Sequence, residues 1–161
     1  MRGFIASVLA AFMFLQPAVA SAATPTPNDP FSRMFAWWNA AFKQADGFTA
    51  DGFRRFFTED ATLTLEGREV IHGIDQWVTH FHRIQASGAE VEIVVPFKTV
   101  FRQGDRIYSY HVIRSRRNGA ASCSLAAGHA VMKGGKIASI TLVRSPMDPA
   151  QGPLDPQCWT D

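Results

Sequence analysis

A tyrosine, a histidine and a threonine fall where a predicted sheet would align them, and their side chains suit acid–base chemistry. Histidine ionises near neutral pH, so His129 can act as a general base or acid. The phenol of Tyr108 can donate a hydrogen bond to a carbonyl or enolate oxygen. Two alternatives stay open: a Tyr108–His129 pair that only completes a core, and a wall that binds a ligand without chemistry.

Three turn sequences set the predicted alignment of the strands. Asn118-Gly119 is typical of a two-residue β-hairpin, and Gly134-Gly135 and Gln103-Gly104 fit the same kind of turn. Because the residues that flank such a turn pair with each other, the register of four consecutive strands follows. The predicted flanking pairs are Arg117 with Ala120, Lys133 with Lys136, and Arg102 with Asp105.

The predicted register gives the sheet two different faces, because side chains alternate along a strand and paired residues share a face. One face is mostly apolar, and we expect it to meet the helices and line a pocket. Its central row is Thr99, Tyr108, His129 and Ile140, with Tyr110 beside it.

The opposite predicted face is small and uncharged in its middle. It carries Ile107, Ser109 and His111 on one strand and Ala126 and Gly128 on the next. A solvated face would carry more charged side chains, so this composition predicts close packing of two sheets in a homodimer. A monomer whose curved sheet tolerates small outward residues is the alternative.

Three helices are predicted before the four strands. Apolar residues recur at helical spacing from Phe31 to Ala45 after a cap at Asp29-Pro30, and Thr49 can cap a short helix that ends before Thr58. A short strand over 61–65 and a loop over 67–73 lead to the third helix, which begins near residue 74. The side chains expected to close the pocket are Trp38, Phe57, Trp77, Phe81 and, at the start of the short strand, Asp60.

Two segments carry a resemblance to a known family. Residues 56–81 (FFTEDATLTLEGREVIHGIDQWVTHF) and 129–140 (HAVMKGGKIASI) resemble the SnoaL-like branch of the nuclear transport factor 2-like superfamily, which includes the ketosteroid isomerase-like proteins. The likeness runs from about Phe35 to Ser145. It implies an α+β fold: a cone-shaped, curved antiparallel sheet packed on three N-terminal helices, with a pocket between helices and sheet.

The catalytic residues of the isomerases transfer poorly onto this chain. The position of the isomerase base holds Leu65, and the first helix offers Trp37 and Trp38 where the isomerases have a tyrosine. His129 matches the position of the oxyanion acid. Steroid isomerisation is therefore not expected. The resemblance implies a pocket for a small, largely apolar molecule, with isomerase, cyclase or dehydratase chemistry left open; the alternative is a non-catalytic interaction or assembly module with a filled cavity.

The chain ends indicate an exported protein. Residues 1–22 combine Arg2, an apolar run and small residues near Ala20, as in a signal peptide, and 23–30 form a Pro-rich linker. A single domain over 31–145 and a tail over 146–161 follow. We expect a periplasmic or secreted protein that does not contact the membrane after cleavage; an uncleaved membrane anchor is the rival reading of the first segment.

The cysteines, the net charge and the spacing of the histidines limit the remaining classes of partner and site. Export favours a disulfide between Cys123 and Cys158, with two free thiols as the alternative. A formal net charge of +2 argues against nucleic acid as the partner. His80 and His82 are two apart on a helix and diverge, so no metal site is expected. No cofactor motif is present, and a small molecule and a second copy of the chain are the expected partners.

Overall fold

The computed structural model describes residues 29–160, so the predicted signal peptide and most of the predicted linker lie outside the described residues. Within this range a seven-stranded sheet accompanies three helices. No helix among residues 29–160 is long and apolar enough to cross a membrane. The elements are α1 (Pro30–Phe42), α2 (Ala50–Arg54), β1 (Phe57–Leu65), β2 (Arg68–His72), α3 (Ile74–Ala86), β3 (Glu90–Ile93), β4 (Thr99–Gln103), β5 (Arg106–Arg117), β6 (Ala120–Lys133) and β7 (Lys136–Pro146).

The first two helices begin where their capping residues predict. Asp29 Oδ1 accepts hydrogen bonds from the backbone N–H groups of Phe31 and Ser32 at 2.9 Å, and the Thr49 hydroxyl accepts one from Gly52 at 3.0 Å. The predicted second helix is too long: α2 ends at Arg54, and Phe57 belongs to β1, where it is fully buried.

The sheet is mixed, which corrects the predicted antiparallel sheet. Its order is β2-β1-β7-β6-β5-β3, with β4 also paired to β5. Strands β4 to β7 form the predicted antiparallel meander, but β1 runs parallel to β7. Long intervening chain makes that parallel pairing possible. The segment 67–73, for which no element is predicted, contains β2, which pairs with β1.

Two of the three predicted turns are confirmed. Arg117 pairs with Ala120 and Lys133 with Lys136. The third is wrong, because the turn lies at 104–105 and Gln103 pairs with Arg106.

The predicted polar row therefore changes at both ends. The shifted β4–β5 turn pairs Tyr108 with Phe101 rather than Thr99. A register shift between Val131 and Met132 then pairs His129 with Thr141 instead of Ile140. The Tyr108–His129 pairing itself is present.

The two faces of β5 and β6 are reversed relative to the prediction. Ile107, Ser109, His111, Ala126 and Ala130 are buried, at most 5% exposed, and His111 contacts Phe35 of α1 with ring centroids 5.7 Å apart. This face meets the helices, so the predicted dimer surface is wrong. The helices supply bulky aromatic side chains, which leaves room for small side chains such as Ala126 and Ala130 beside the larger Ile107 and His111 on the facing strands.

The tail covers one end of the outward face. The predicted disulfide joins Cys123 to Cys158 with Cα atoms 5.7 Å apart. Around it Val94, Val112 and Leu125 pack with Met147 and Leu154 as a second, small apolar cluster. The apolar character of this end of the outward face therefore reflects burial by the tail rather than by the helices.

Candidate functional site

The helices and the sheet enclose a cavity of about 380 Å³. Helices α1 and α3 form one wall, and strands β1, β3, β5, β6 and β7 form the other. The lining is apolar over most of its area and polar in one part. The lining residues are Met34, Phe35, Trp38, Leu63, Leu65, Trp77, His80, Phe81, Ile84, Val91, Ile93, Ile113, Ser115, Ser122, Ser124, Ile140, Leu142 and Arg144.

The helical wall is built from aromatic side chains that hold one another in place. Trp38 and Phe81 meet edge to face with centroids 5.3 Å apart, and Trp77 lies 5.8 Å from Phe81. The indole N–H of Trp77 donates to the carbonyl oxygen of Ala61 in β1 at 3.0 Å. This bond ties α3 to the sheet, so the wall is positioned by contacts that do not depend on a ligand.

Serine and arginine side chains form the polar part of the lining. The hydroxyls of Ser115 and Ser122 are 2.7 Å apart across the β5–β6 pair. Arg144 donates to both carboxylate oxygens of Glu66, at 2.7 Å and 2.9 Å. These hydrogen bonds lower the pKa of Glu66, so the pair is ionised at neutral pH. A ligand in the cavity would meet hydroxyls and a charged pair here.

His80 supplies an imidazole to the cavity. It is half-buried on α3, and its ring lies edge-on to Phe81 with centroids 5.1 Å apart. Burial and then the positive charge of Arg83 lower the pKa of His80 below its usual value. The neutral imidazole is therefore favoured at neutral pH, and it can accept a proton from a bound molecule.

Three buried polar side chains around the helix-facing side of the sheet lack hydrogen-bond partners among the described residues. They are Trp38 at its indole nitrogen, Ser109 at its hydroxyl, and His111 at both ring nitrogens. Trp38 lines the cavity, whereas the other two do not. Burial lowers the pKa of His111 to about 4, so this residue is neutral in the folded protein at neutral pH.

The predicted site residues on the helices and on β1 have three outcomes. Trp38, Trp77 and Phe81 line the cavity. Phe57 is buried against Trp77, with ring centroids 4.5 Å apart, and supports that wall from behind. Asp60 is exposed on β1, outside the lining, and its pKa is lowered first by a hydrogen bond from Thr58.

The predicted site residues on the strands lie together on the other face of the sheet, so their predicted orientation toward the helices is wrong. Thr99, Tyr108, Tyr110 and His129 line a shallow groove of about 350 Å³. Tyr108 and His129 have ring centroids 5.4 Å apart, and burial, followed by the charge of Arg106, lowers the pKa of His129. A ligand in the helix-lined cavity is separated from them by the sheet.

Sequence reasoning missed the polar lining of the cavity. His80 shares the helical spacing of Trp77, Phe81 and Ile84, so the apolar stripe of α3 could have identified it. The serines follow only from knowing which face of β5 and β6 meets the helices. Among residues 29–160, no group of three or more His, Cys, Asp or Glu side chains could hold a metal ion.

Known structures share this architecture. An NTF2-like protein of unknown function from Exiguobacterium sp. 255-15 superimposes with a TM-score of 0.58 at 20% identity, over 74% of this chain and 99% of that one. A ketosteroid isomerase-like protein from Catenulispora acidiphila, solved with trimethylamine, gives 0.54 at 18% identity, over 68% and 82%. A putative SnoaL-like polyketide cyclase from Jannaschia sp. CCS1 gives 0.56 at 15%, over 72% and 83%.

No protein-family model and no curated protein matches the chain. Identities of 20% or less to the solved structures establish the fold and leave the chemistry open. The superposition with these structures covers most of the described domain. The sequence resemblance is thus confirmed for the architecture, and the chain has the nuclear transport factor 2-like fold.

Proposed function

We propose that this is an exported protein whose domain binds a small, largely apolar molecule in the helix-lined cavity. The aromatic-walled cavity of about 380 Å³ between the helices and the sheet carries the proposal. Ligand sites usually have volumes of ~300 Å³ or more, whereas the filled cavity of an interaction or assembly module would have a volume well below that. The aromatic and aliphatic lining favours an apolar body, since each buried apolar group gains free energy on leaving water.

Two proteins of the same fold are in line with this function. The Catenulispora acidiphila protein was solved with a small organic molecule, trimethylamine, and the Jannaschia protein is described as a putative polyketide cyclase. Neither identifies the ligand of this chain. The lining of this cavity is the stronger argument, because it depends only on residues of this protein.

Proton-transfer chemistry on such a ligand is assigned to His80. It lines the cavity and favours the neutral form, whereas Tyr108 and His129 lie across the sheet. Substituting His80→Ala should abolish turnover of a bound substrate while leaving most of its binding. Equal turnover by His80→Ala would remove the enzymatic part of the proposal and leave a binding protein.

A thermal-shift screen of hydrophobic metabolites tests the binding function. Hits should stabilise the wild type, because a ligand that binds only the folded state raises its melting temperature. The variant Ile113→Trp places a large ring in the cavity and should lose those shifts. Val70→Trp is the matched control, since Val70 is exposed on β2 away from the cavity. A broad library without hits, or hits that Ile113→Trp retains, would contradict the proposal.

Export is supported by the disulfide and the predicted signal peptide. Disulfides such as Cys123–Cys158 persist in oxidising compartments, which favours the periplasm or the exterior. N-terminal sequencing of protein from the exported fraction should find a start between Ala20 and Thr24. Retention of Met1 on membrane-bound protein would support the anchor alternative.

A homodimer through the outward face of the sheet is a second part of the proposal. The exposed aromatic and aliphatic side chains there include Phe101 (49% exposed), Tyr110 (40%) and Val143 (56%), and the groove they line has no charged residue except the titratable His129. Light scattering should give twice the monomer mass, and Val143→Arg should reduce it while Val70→Arg does not. A monomeric wild type at micromolar concentration would contradict the dimer.

A further inference from the structure

A second depression continues from the polar part of the helix-lined cavity. It has a volume of about 470 Å³. Four residues line both spaces, so the two are contiguous rather than separate sites. The shared residues are Ile84, Val91, Ser115 and Ser122.

Three arginines line this second depression, and no acidic residue does. Arg116 is partly neutralised, with Glu90 Oε2 at 3.8 Å from its Nη1 and the ring of Trp159 beside its guanidinium. Arg83 and Arg117 also line it, and within residues 29–160 neither has a carboxylate within 4.0 Å. Two unneutralised guanidinium groups therefore flank the entrance to an apolar cavity, and a cleft lined by one sign of charge attracts the opposite sign.

The serine pair at the junction adds hydrogen-bond donors. Ser115 and Ser122 share one hydrogen bond of 2.7 Å between their hydroxyls, so one of the two hydroxyl hydrogens stays available. It lies between the apolar lining and the arginines. An anionic oxygen placed at this junction would accept from a hydroxyl and, on its outer side, from a guanidinium.

We propose that the ligand is an amphiphile with an anionic head group, whose apolar body fills the cavity and whose head group binds Arg83, Arg117 and the serine pair at its mouth. This inference rests on the proposed ligand-binding function and specifies its ligand class. Burying the charge inside the apolar lining would be costly, whereas the arginines let it stay paired at the mouth. A bare inorganic anion would leave the apolar lining empty.

Competition against the neutral dye Nile red measures the affinities of ligands that share an apolar chain and differ in the head group. Decanoate and decanol present the same apolar chain to the purified protein, with an anionic or a neutral head group. Decanol is the more apolar of the two, so burial alone would make it the tighter ligand. We expect decanoate to bind more tightly at low salt and to lose that advantage at high salt, because ions screen exposed charges.

Arginine variants test the head-group contacts. Arg83→Gln and Arg117→Gln should each weaken decanoate binding by about three- to fivefold and leave decanol unchanged, as is typical for single exposed ion pairs. Arg33→Gln is the matched control, since Arg33 is an exposed arginine of α1 outside both depressions. Decyl phosphate serves as a third ligand, and its affinity relative to decanoate shows whether a phosphate or a carboxylate head fits better.

The outcomes separate this inference from the proposed function. If decanol binds as tightly as decanoate, or if the arginine variants behave like Arg33→Gln, the anionic head group is refuted and the apolar pocket remains. If neither decanol nor Nile red binds, the pocket fails and the inference fails with it. A decanoate preference that both arginine variants reduce supports the proposal.

Discussion

Substituting the buried histidine of β5 should change how stability depends on pH. His111 is 0% exposed, packs against the rings of Phe35 and Phe97 with centroids 5.7 Å and 4.9 Å away, and has no hydrogen-bond partner for either ring nitrogen among the described residues. Protonation would place an unpaired charge in this apolar setting. The variant His111→Leu keeps a similar volume and removes the titrating group.

The magnitude follows from the two pKa values. Burial lowers the pKa of His111 from 6.5 to about 4. In the unfolded chain the imidazole takes up a proton as the pH falls below about 6.5, but in the folded protein it does not until about 4. Folding stability is therefore greatest above pH 6.5 and falls through this window, by about 2 kcal/mol at pH 5 and about 3 kcal/mol at pH 4.

Urea denaturation followed by tryptophan fluorescence measures the effect at several pH values. Carboxylates with lowered pKa, such as Glu66 and Asp155, also lose stabilisation in acid, at pH values toward and below about 4. Their contribution is common to both proteins, so the difference between wild type and His111→Leu isolates the histidine. At neutral pH the variant should be at least as stable, because two unpartnered polar atoms leave the core.

Parallel stability curves for the wild type and His111→Leu between about pH 7 and about pH 4 would refute this reasoning. They would mean that the folded protein accommodates the charged ring, through a partner or a rearrangement of β5. The matched control is His72→Leu, since His72 is exposed on β2. A steep loss of stability in His111→Leu at all pH values would instead indicate that packing at this position dominates.

Three further changes test the scaffold. Cys158→Ser removes a disulfide between residues 35 positions apart and should lower the free energy of unfolding by about 3–4 kcal/mol. An unchanged denaturation midpoint would contradict stabilisation of the fold by this bond. Gly128→Ala places a Cβ against the carbonyl oxygen of Thr141 and should cost at least about 2 kcal/mol; wild-type melting would contradict this close approach. Asn39→Ala removes two hydrogen bonds to the backbone of Ile93, of 2.7 Å and 3.0 Å, and should cost about 1–3 kcal/mol, checked by thermal melting.

Local signals predicted most of the elements. The cap at Asp29 and the apolar stripe after it fix α1, and the Asn118-Gly119 turn fixes the β5–β6 pairing residue by residue. These features depend on a few neighbouring residues, so the sequence determines them directly. The missed strand β2 and the parallel β1–β7 pairing depend on contacts between distant segments.

The site was predicted only in part because a sheet pattern does not say which face is inside. The aromatic outward face, with Tyr108 and Tyr110, is the more apolar in composition, and composition alone therefore predicts that it faces the core. The helices already place rings such as Trp38 and Phe81 in the core, so the strands that face them can carry small residues such as Ser109. Composition of one layer has to be judged against the layer it packs on.

A single register shift determines which side chains of β7 face the helices. Without the shift between Val131 and Met132, the residues of β7 that share a face with Tyr108 would include Ile140 and Leu142, and the outward face would carry a continuous apolar stripe. The shift moves both residues to the helix-facing side, where they line the cavity. Thr141 takes their place beside His129. The same one-residue change therefore places two aliphatic side chains of β7 in the wall of the helix-lined cavity and a hydroxyl group beside His129 in the outward groove.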